Sequence, residues 1–320
     1  MRLAALGVWP LIAASAAPGQ TYPSKPILVV STASPASSGD AALRLMAAKM
    51  TASLGQPVVV ELKTAARGTQ AAQALAKAGA DGYTITYGTS GTFVNARFLY
   101  KNIAFDVLKD FAPISLAVSS PSYVVVNSTV PVSSLRELIE YARRNPGKLE
   151  YASTGVGSVF HLTGESLKLY AGIDLLHVPY AQANFSQMIT DWASGRVALW
   201  FPTYAFLAPN LVNKVRPLAI VDTRRSTRLP ELPTVAEVVP GFQGFPAWWA
   251  FFGPAGLPSP IAERLAGEVR AALKAPDVQA KLDDLGLSTI ASTPEELSSH
   301  LRSEIDAVGK LVKAIGLQPE

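Results

Sequence analysis

Residues 27–62 read ILVVSTASPASSGDAALRLMAAKMTASLGQPVVVEL, and this stretch decides the predicted fold. Two strand-like runs rich in valine and isoleucine, Ile27–Val30 and Pro57–Leu62, flank an alanine-rich segment, Asp40–Leu54, whose apolar residues recur at helical spacing. Strands that alternate with helices of this length are typical of a parallel sheet covered by helices.

The same alternation continues along most of the chain. Further strands are predicted at Tyr83–Tyr87, Tyr123–Val126, Leu149–Ala152, Leu176–Val178, Val197–Phe201 and Pro217–Val221. Helices are predicted at Thr69–Ala78, from the capping pattern Ser134/Glu137 to Arg144, at Val159–Tyr170, Ala183–Ala193 and Tyr204–Val212, and after Pro260 and Thr293. We therefore expect two α/β units with a ligand crevice between them, since ligands in open α/β sheets bind beyond the carboxyl ends of strands.

The composition of the 320-residue chain excludes several functional classes. Hydrophobic residues make up 49% and charged residues 16%, which is enough apolar surface for packed domains and argues against disorder. There is no cysteine, so disulfides, thiolate metal sites, a cysteine nucleophile and a lipid-bearing cysteine are excluded. The three histidines are far apart in sequence and the net charge is only +4, so we expect no metal, no cofactor and no nucleic acid.

The N-terminal segment has the order of a secretory signal peptide. Arg2 precedes an apolar stretch, Leu3–Ala13, and then a run of small residues. Residues 1–16 are interpreted as a signal peptide cleaved after Ala16, the alternative being an apolar helix that packs on the core. Without a cysteine to carry a lipid, we expect an unanchored protein in the bacterial periplasm or outside the cell.

Hydroxyl side chains are concentrated in the loops that follow the predicted strands. Two of these loops, 31–40 and 153–158, lead directly into helices, whose first N–H groups and partial positive charge suit a carboxylate. The candidate ligand-binding residues are Ser34, Ser37, Ser38, Asp40, Thr89, Ser90, Ser153, Thr154, Ser158, His161, Tyr180 and Thr203. Taken singly, each serine is better explained as a turn or N-cap residue, and only the shared position after a strand indicates a site.

Several candidates have competing interpretations. Asp40 is either a first-turn carboxylate stabilised by the helix dipole or a crevice carboxylate that holds the ammonium group of an amino acid. His161 either donates to a bound carboxylate or caps its own loop. His177 is expected to be structural, with Tyr180 the better crevice residue, and His300 is expected at the surface.

Motifs for enzymatic chemistry are incomplete. The stretch Gly88–Thr92 has threonine where a nucleophile elbow needs its second glycine, and residues 155–160 lack the third glycine of a dinucleotide fingerprint. An exported hydrolase that uses Ser90 or Ser158 with a histidine and Asp40 is therefore a weak alternative. We expect no enzymatic activity.

Seven segments carry a resemblance to a known family. They are LGQPVVVE (54–61), DGYT (81–84), GTSGT (88–92), NPGKL (145–149), GVGSVFHL (155–162), HVPY (177–180) and LPTVAE (232–237). In their order and spacing, these segments make the chain resemble the substrate-binding receptors of tripartite tricarboxylate transporters, also called Bug receptors.

The resemblance implies a fold like that of type II periplasmic binding proteins, in which two α/β domains close on a ligand like a clam. It places residues 21–118 and 246–320 in a discontinuous first domain and residues 119–245 in the second. It also implies capture of a small organic anion, a carboxylate or an acidic amino acid, for membrane permease subunits of a tripartite tricarboxylate transporter. We expect the receptor to be a monomer.

The chain departs from the family pattern in the loops that would contact the ligand. Residues 34–40 read SPASSGD where the family has PPGGGxD, and residues 63–68, 181–182 and Pro202 also differ. The identity of the ligand is therefore not transferred. An exported sensor that docks to a signalling partner is a further alternative, because the sequence does not identify docking surfaces.

Overall fold

The computed structural model describes residues 22–181, 184–207, 213–226 and 228–319. The strands in these ranges are β1 (Ile27–Ser31), β2 (Val58–Leu62), β3 (Thr84–Thr89), β4 (Phe111–Ser120), β5 (Ser122–Asn127), β6 (Glu150–Ser153), β7 (Leu176–Pro179), β8 (Leu199–Trp200), β9 (Val215–Val221), β10 (Ala247–Pro254) and β11 (Ser288–Thr289). The α-helices are α1 (Ser38–Leu54), α2 (Thr69–Ala76), α3 (Ala96–Leu99), α4 (Leu135–Arg144), α5 (Val159–Ala171), α6 (Phe185–Ala193), α7 (Val235–Val238), α8 (Ser259–Lys274), α9 (Pro276–Asp284) and α10 (Pro294–Ala314).

The first sheet has six strands in the order β11-β4-β10-β3-β1-β2. β1 pairs in parallel with β2 and β3, as the strand–helix alternation predicts. β10 returns from the C-terminal part of the chain and runs antiparallel to both β3 and β4. The prediction of a parallel sheet is therefore confirmed for β1 to β3, and β10 makes the complete sheet mixed.

The second sheet has five strands in the order β7-β6-β8-β5-β9. β6 is parallel to β7 and β8, whereas β5 is antiparallel to β8 and β9. Each sheet has helices packed on it, which gives the two α/β domains that the sequence predicts. No helix in the described ranges is long and apolar enough to cross a membrane.

Helix starts follow the predicted capping residues in most places. The hydroxyl of Ser37 accepts from the Asp40 N–H at the start of α1, and Thr293 forms a reciprocal capping box with Glu296 at the start of α10. The predicted box at Ser134 is half formed, because the Glu137 carboxylate accepts from the backbone and hydroxyl of Ser133 instead.

Two predicted helices differ from the structure. The helix expected at 204–212 is a single 3-10 turn, Tyr204–Phe206, and residues 208–212 lie outside the described ranges. The helix expected from Ala183 begins at Phe185, and Ala183 itself lies outside the described residues. A turn of π-helix, Gly91–Asn95, follows β3 and continues into α3, which the sequence did not indicate.

The chain passes between the two sheets at residues 120–122 and again at residues 244–246, and we call these the crossing segments. Strands β4 and β10, which carry them, lie in the interior of the first sheet, with β3, β1 and β2 on one side and β11 on the other. Parallel strands end at the same edge of a sheet, so the loops after β1 and β3 lie together on one side of the crossing segments. We call this side the front, and the side of β11 and β9 the hinge side.

Candidate functional site

The loop after β1 is closed on itself and on α1. Ser37 caps the helix and donates its own N–H to the Ser34 carbonyl at 3.1 Å. The Asp40 carboxylate accepts from the Ala36 N–H at 3.1 Å and lies 3.1 Å from the Arg44 guanidinium. Asp40 is 5% exposed. Oδ2 accepts the hydrogen bond from Ala36, whereas Oδ1 is buried with the ion pair to Arg44 as its contact and no hydrogen bond. The hydrogen bond and the ion pair favour the interpretation of Asp40 as a structural residue of the first helical turn.

Threonines join the loop after β1 to the loop after β3. The Thr89 N–H donates to the Thr32 hydroxyl at 3.2 Å, and the Thr89 hydroxyl lies 3.1 Å from that of Thr92. Gly68, with a φ of 82°, approaches both Thr32 and Thr92 so closely that a Cβ would lie 2.6 Å from Thr32. The structure thus brings Thr89 together with two threonines that the sequence did not single out, although both lie in loops at strand ends. Ser90 is buried beside them.

The loop after β6 is organised by two histidines. Ser153 is fully buried, and its hydroxyl lies 2.6 Å from Nε2 of His177. Nδ1 of His161 accepts from the Gly157 N–H at 3.0 Å, which leaves the ring proton on Nε2. The Ser158 hydroxyl caps α5 through the His161 N–H. The contact of Nδ1 favours the interpretation in which His161 caps its own loop, and His177 supports that loop from β7.

Both histidines are held in the neutral form. Burial lowers the pKa of His161, and burial together with the neighbouring His161 lowers the pKa of His177 to about 4. Their ring centroids are 4.3 Å apart, so a proton on one ring disfavours a proton on the other. The His177 ring also stacks on Tyr151 at 4.9 Å.

Tyr180 is joined to the same loop by its backbone and to α6 by its side chain. Its N–H donates to the Ser153 carbonyl at 2.9 Å, and its hydroxyl donates to the Asp191 carboxylate at 2.9 Å. Burial, followed by that hydrogen bond, raises the pKa of Tyr180 to about 12. The phenol therefore stays protonated and is already committed to Asp191.

The remaining candidates lie at the edge of this arrangement. Thr154 follows Ser153 and is partly exposed, as is Ser38, while Ser34 is exposed. Thr203 forms an isolated bridge with Ser122 beside a crossing segment, away from the histidine-supported loop. His300, expected at the surface, is only partly exposed and lies 2.8 Å from the Glu304 carboxylate.

Two contacts bring the front loops of the two domains together. Gly157 of the second domain lies so close to Leu99 of the first that a Cβ there would be 2.0 Å from the leucine. Leu162 of α5 packs into the apolar cluster that contains Phe93 and Val94. The predicted residues thus form two groups, one on each domain, on the same side of the crossing segments.

Trp249 of β10 also lies on this side. A Cβ on Gly39 would lie 2.3 Å from Nε1 of Trp249, so the indole covers the first turn of α1 directly. Trp248 and Trp249 point to opposite faces of β10 and join different apolar clusters, as the alternation of a strand predicts. Gly39 is therefore needed at this position because any side chain would displace the ring.

A cavity of about 690 Å³ lies on the hinge side. Both domains line it, through residues near β9 and the Tyr204 turn on one wall and through β10, α9 and β11 on the other. None of the twelve candidate residues lines this cavity. The sequence does not indicate this cavity, because segments that are distant along the chain form it and no motif marks it.

Known proteins are similar to this chain over nearly its whole length. The family described as the tripartite tricarboxylate transporter family receptor matches residues 42–317. The UPF0065 protein of the tcbD-tcbE intergenic region of a Pseudomonas species is 36% identical over 91% of this chain and 86% of that protein. BugT of Bordetella pertussis is 30% identical over 98% of this chain and 97% of BugT.

Solved structures of similar proteins also match this chain over nearly its whole length. Rpa4515 of R. palustris, solved with adipate, has a TM-score of 0.76 and 32% identity over 93% of this chain and 100% of that one. MatC from Rhodopseudomonas palustris, with bound malate, has a TM-score of 0.71 and 30% identity over 91% of this chain and 100% of MatC. Since the family match extends across both sheets, the chain belongs to the tripartite tricarboxylate transporter receptor family of solute-binding proteins, as the resemblance of its sequence segments implied.

Proposed function

We propose that this protein is a periplasmic receptor that captures a small organic carboxylate between its two domains and delivers it, chemically unchanged, to membrane permease subunits. The observation that carries the proposal is that two relatives at 30–32% identity are described with the dicarboxylates adipate and malate. In this proposal residues 1–16 are a cleaved signal peptide. The first domain then comprises residues 21–118 and 246–320, and the second comprises residues 119–245.

The carboxylate would lie at the front, between the first turns of α1 and α5. Both helices begin at a serine whose hydroxyl caps the helix, Ser37 and Ser158, and both follow a strand end. Helix N-termini attract anions through free N–H groups and the helix dipole, by about 0.3–1 kcal/mol each when exposed. Closure of the two domains would exclude water and strengthen these interactions.

The loop after β6 in the second domain is held in place by hydrogen bonds, which suits this role. The side chains of Ser153, His161 and Tyr180 all have hydrogen-bond partners within the domain, so the loop is preformed before a ligand arrives. A preformed loop loses little conformational entropy on binding. We assign direct ligand contacts chiefly to the partly exposed candidates Ser38, Thr89 and Thr154, with the buried candidates as their support.

The geometry gives no support to the hydrolase alternative. The Ser158 hydroxyl accepts a backbone N–H, and Nδ1 of His161 accepts another, so neither is arranged as nucleophile and base. The serine–histidine contact between Ser153 and His177 is inaccessible, because Ser153 is fully buried.

A thermal-shift screen tests the proposed function. The mature protein is heated with adipate, malate, citrate, glutamate and benzoate, and with adipamide as a neutral control. A ligand at a hundredfold excess over its Kd stabilises the folded state by about 2.7 kcal/mol, so we expect at least one carboxylate to raise Tm by about 5 °C. If no carboxylate raises Tm and none co-purifies with the protein, the proposal is wrong.

A further inference from the structure

The hinge-side cavity is a feature of the structure that the proposed function does not use. Its volume, about 690 Å³, is in the range of small-molecule pockets. It lies across the crossing segments from the front loops, with Pro121 and Pro246 among its lining residues. A ligand here would therefore be separate from a carboxylate held between α1 and α5.

The second-domain wall of the cavity carries one aspartate and three arginines, Asp222, Arg224, Arg225 and Arg228. Arg225 is committed to Glu237, with its Nε 3.0 Å from one carboxylate oxygen. Arg228 stacks on the ring of Tyr204 at 4.5 Å. Among the residues that the structure describes, no carboxylate forms an ion pair with Arg224 or Arg228, so two guanidinium groups remain for a ligand.

Hydrogen bonds hold this wall in place. The Ser226 hydroxyl lies 2.8 Å from that of Tyr123 and accepts the backbone N–H of Arg228 at 3.1 Å. The Asp222 carboxylate accepts the Thr223 N–H at 2.6 Å. The segment that carries the arginines is thus tied to β5, and it presents the rings of Tyr123 and Tyr204 beside the positive charges.

The first-domain wall has a different character. Trp248 and Leu287 lie behind it and are only 1% and 4% exposed, and Asp283 is exposed at its rim. A carboxylate is repelled by Asp283 and attracted by the arginines on the opposite wall. A flat apolar group attached to that carboxylate would point toward Trp248 and Leu287.

We propose that the hinge-side cavity is a second ligand site, which takes a small aromatic carboxylate. The guanidinium groups of Arg224 and Arg228 bind the carboxylate, and the ring packs against Tyr204, the partly exposed ring among the three large aromatic residues of the lining. Arginine suits both parts of such a ligand, because its planar group forks onto carboxylates and stacks on aromatic faces.

Occupancy of this site is coupled to the front, and this part rests on the proposed function. The cavity and the front loops lie on opposite sides of the crossing segments, so a rotation about those segments that closes the front must widen the cavity. A ligand that fills the widened cavity binds the front-closed form better than the open form. It therefore raises the affinity of the front site for its carboxylate, and the front carboxylate raises the affinity of the cavity for its ligand by the same factor.

Calorimetry with 2-naphthoate tests the second site on the intact mature protein. We expect saturable binding with a Kd at or below about 1 mM, and no binding of the cation 2-naphthylmethylamine, which keeps the ring and reverses the charge. The double variant R224Q/R228Q should bind 2-naphthoate at least about tenfold more weakly, because it loses two charged hydrogen-bond donors. R224Q alone, at an exposed residue, should weaken binding without any risk to folding. R136Q, at an exposed arginine of α4, should not change it.

A front-side variant, T89V, separates the two proposals. It should weaken the binding of front carboxylates and leave 2-naphthoate binding unchanged. The second site is refuted if the wild type does not bind 2-naphthoate, if R224Q/R228Q binds it as well as wild type, or if T89V abolishes its binding. Failure of the front carboxylate screen, by contrast, would remove the coupling and leave the 2-naphthoate result to stand on its own.

Discussion

Gly39 and Trp249 show how one residue pair sets the shape of the front side. The indole of Trp249 lies where a side chain on Gly39 would go, with Nε1 2.3 Å from the position of a Cβ. Trp249 is 9% exposed, so the ring has little room to retreat. Gly39 occupies the variable position before the aspartate in the family pattern PPGGGxD, so the sequence does not single it out. Nor does the sequence reveal its partner, which lies about 210 residues away along the chain.

We expect Gly39→Ala to destabilise the protein by about 1–3 kcal/mol, because overpacking forces the ring or the helix to move. Gly267→Ala is the matched control: Gly267 lies in α8 with nothing within 4 Å of its Cβ position. That control should stabilise by about 0.4–1 kcal/mol, since alanine reduces the entropy of the unfolded chain. Urea denaturation of both variants measures the difference, and equal effects of the two substitutions would contradict the assigned contact.

The paired histidines make stability depend on pH. The pKa of His177 is lowered from an ordinary value of 6.5 to about 4 in the folded protein. Burial is the largest cause, followed by the neighbouring His161. Glu165 raises this pKa, and Lys168 lowers it further. Between these values the unfolded chain binds a proton that the folded protein does not. The stabilisation is therefore present above about pH 6.5 and is lost as the pH falls toward 4.

We expect the free energy of unfolding to fall between pH 7 and pH 4.5, and to fall less in His177→Gln, which retains a donor for Ser153. Urea titrations at several pH values provide the measurement. A pH dependence that is identical in wild type and His177→Gln would show that His177 does not carry it.

At the scale of elements, the strands that alternate with helices along the chain were predictable from the sequence. Strands β4, β10 and β11 of the same sheet were not. β1, β2 and β3 follow from three short apolar runs separated by helices. β4 and β10 are buried on both faces for most of their length, so they lack the alternation that marks a half-buried strand. β11 has only two residues and no sequence signal at all.

In the candidate site too, features that are local in sequence were predictable, and contacts between distant segments were not. N-cap serines such as Ser37 and Ser158 were predictable, because capping is local in sequence. The role of His161 was left open, because a ring nitrogen that accepts a loop N–H four residues earlier has no distinct sequence pattern. Pairs that join distant segments, such as Thr32 with Thr89 and Ser153 with His177, required the three-dimensional structure.

At the scale of the whole molecule, the proposed capture of a carboxylate requires the two domains to rotate about the crossing segments. The contacts of Leu99 with Gly157 at the front, and the cavity on the hinge side, lie on opposite sides of that axis. The composition makes this motion convenient to measure, because the chain has no cysteine and introduced thiols are the only labelling sites.

The most direct test is the distance between spin labels on the variant A48C/L169C, which carries one label on exposed positions of α1 and α5, in different domains. We predict that the carboxylate found by thermal shift shortens this distance by more than about 2 Å, as hinge closure does in other binding proteins, and that adipamide does not. The pair A48C/E263C, with both labels in the first domain, should show no change. A label distance in A48C/L169C that stays the same at saturating carboxylate would contradict capture by domain closure.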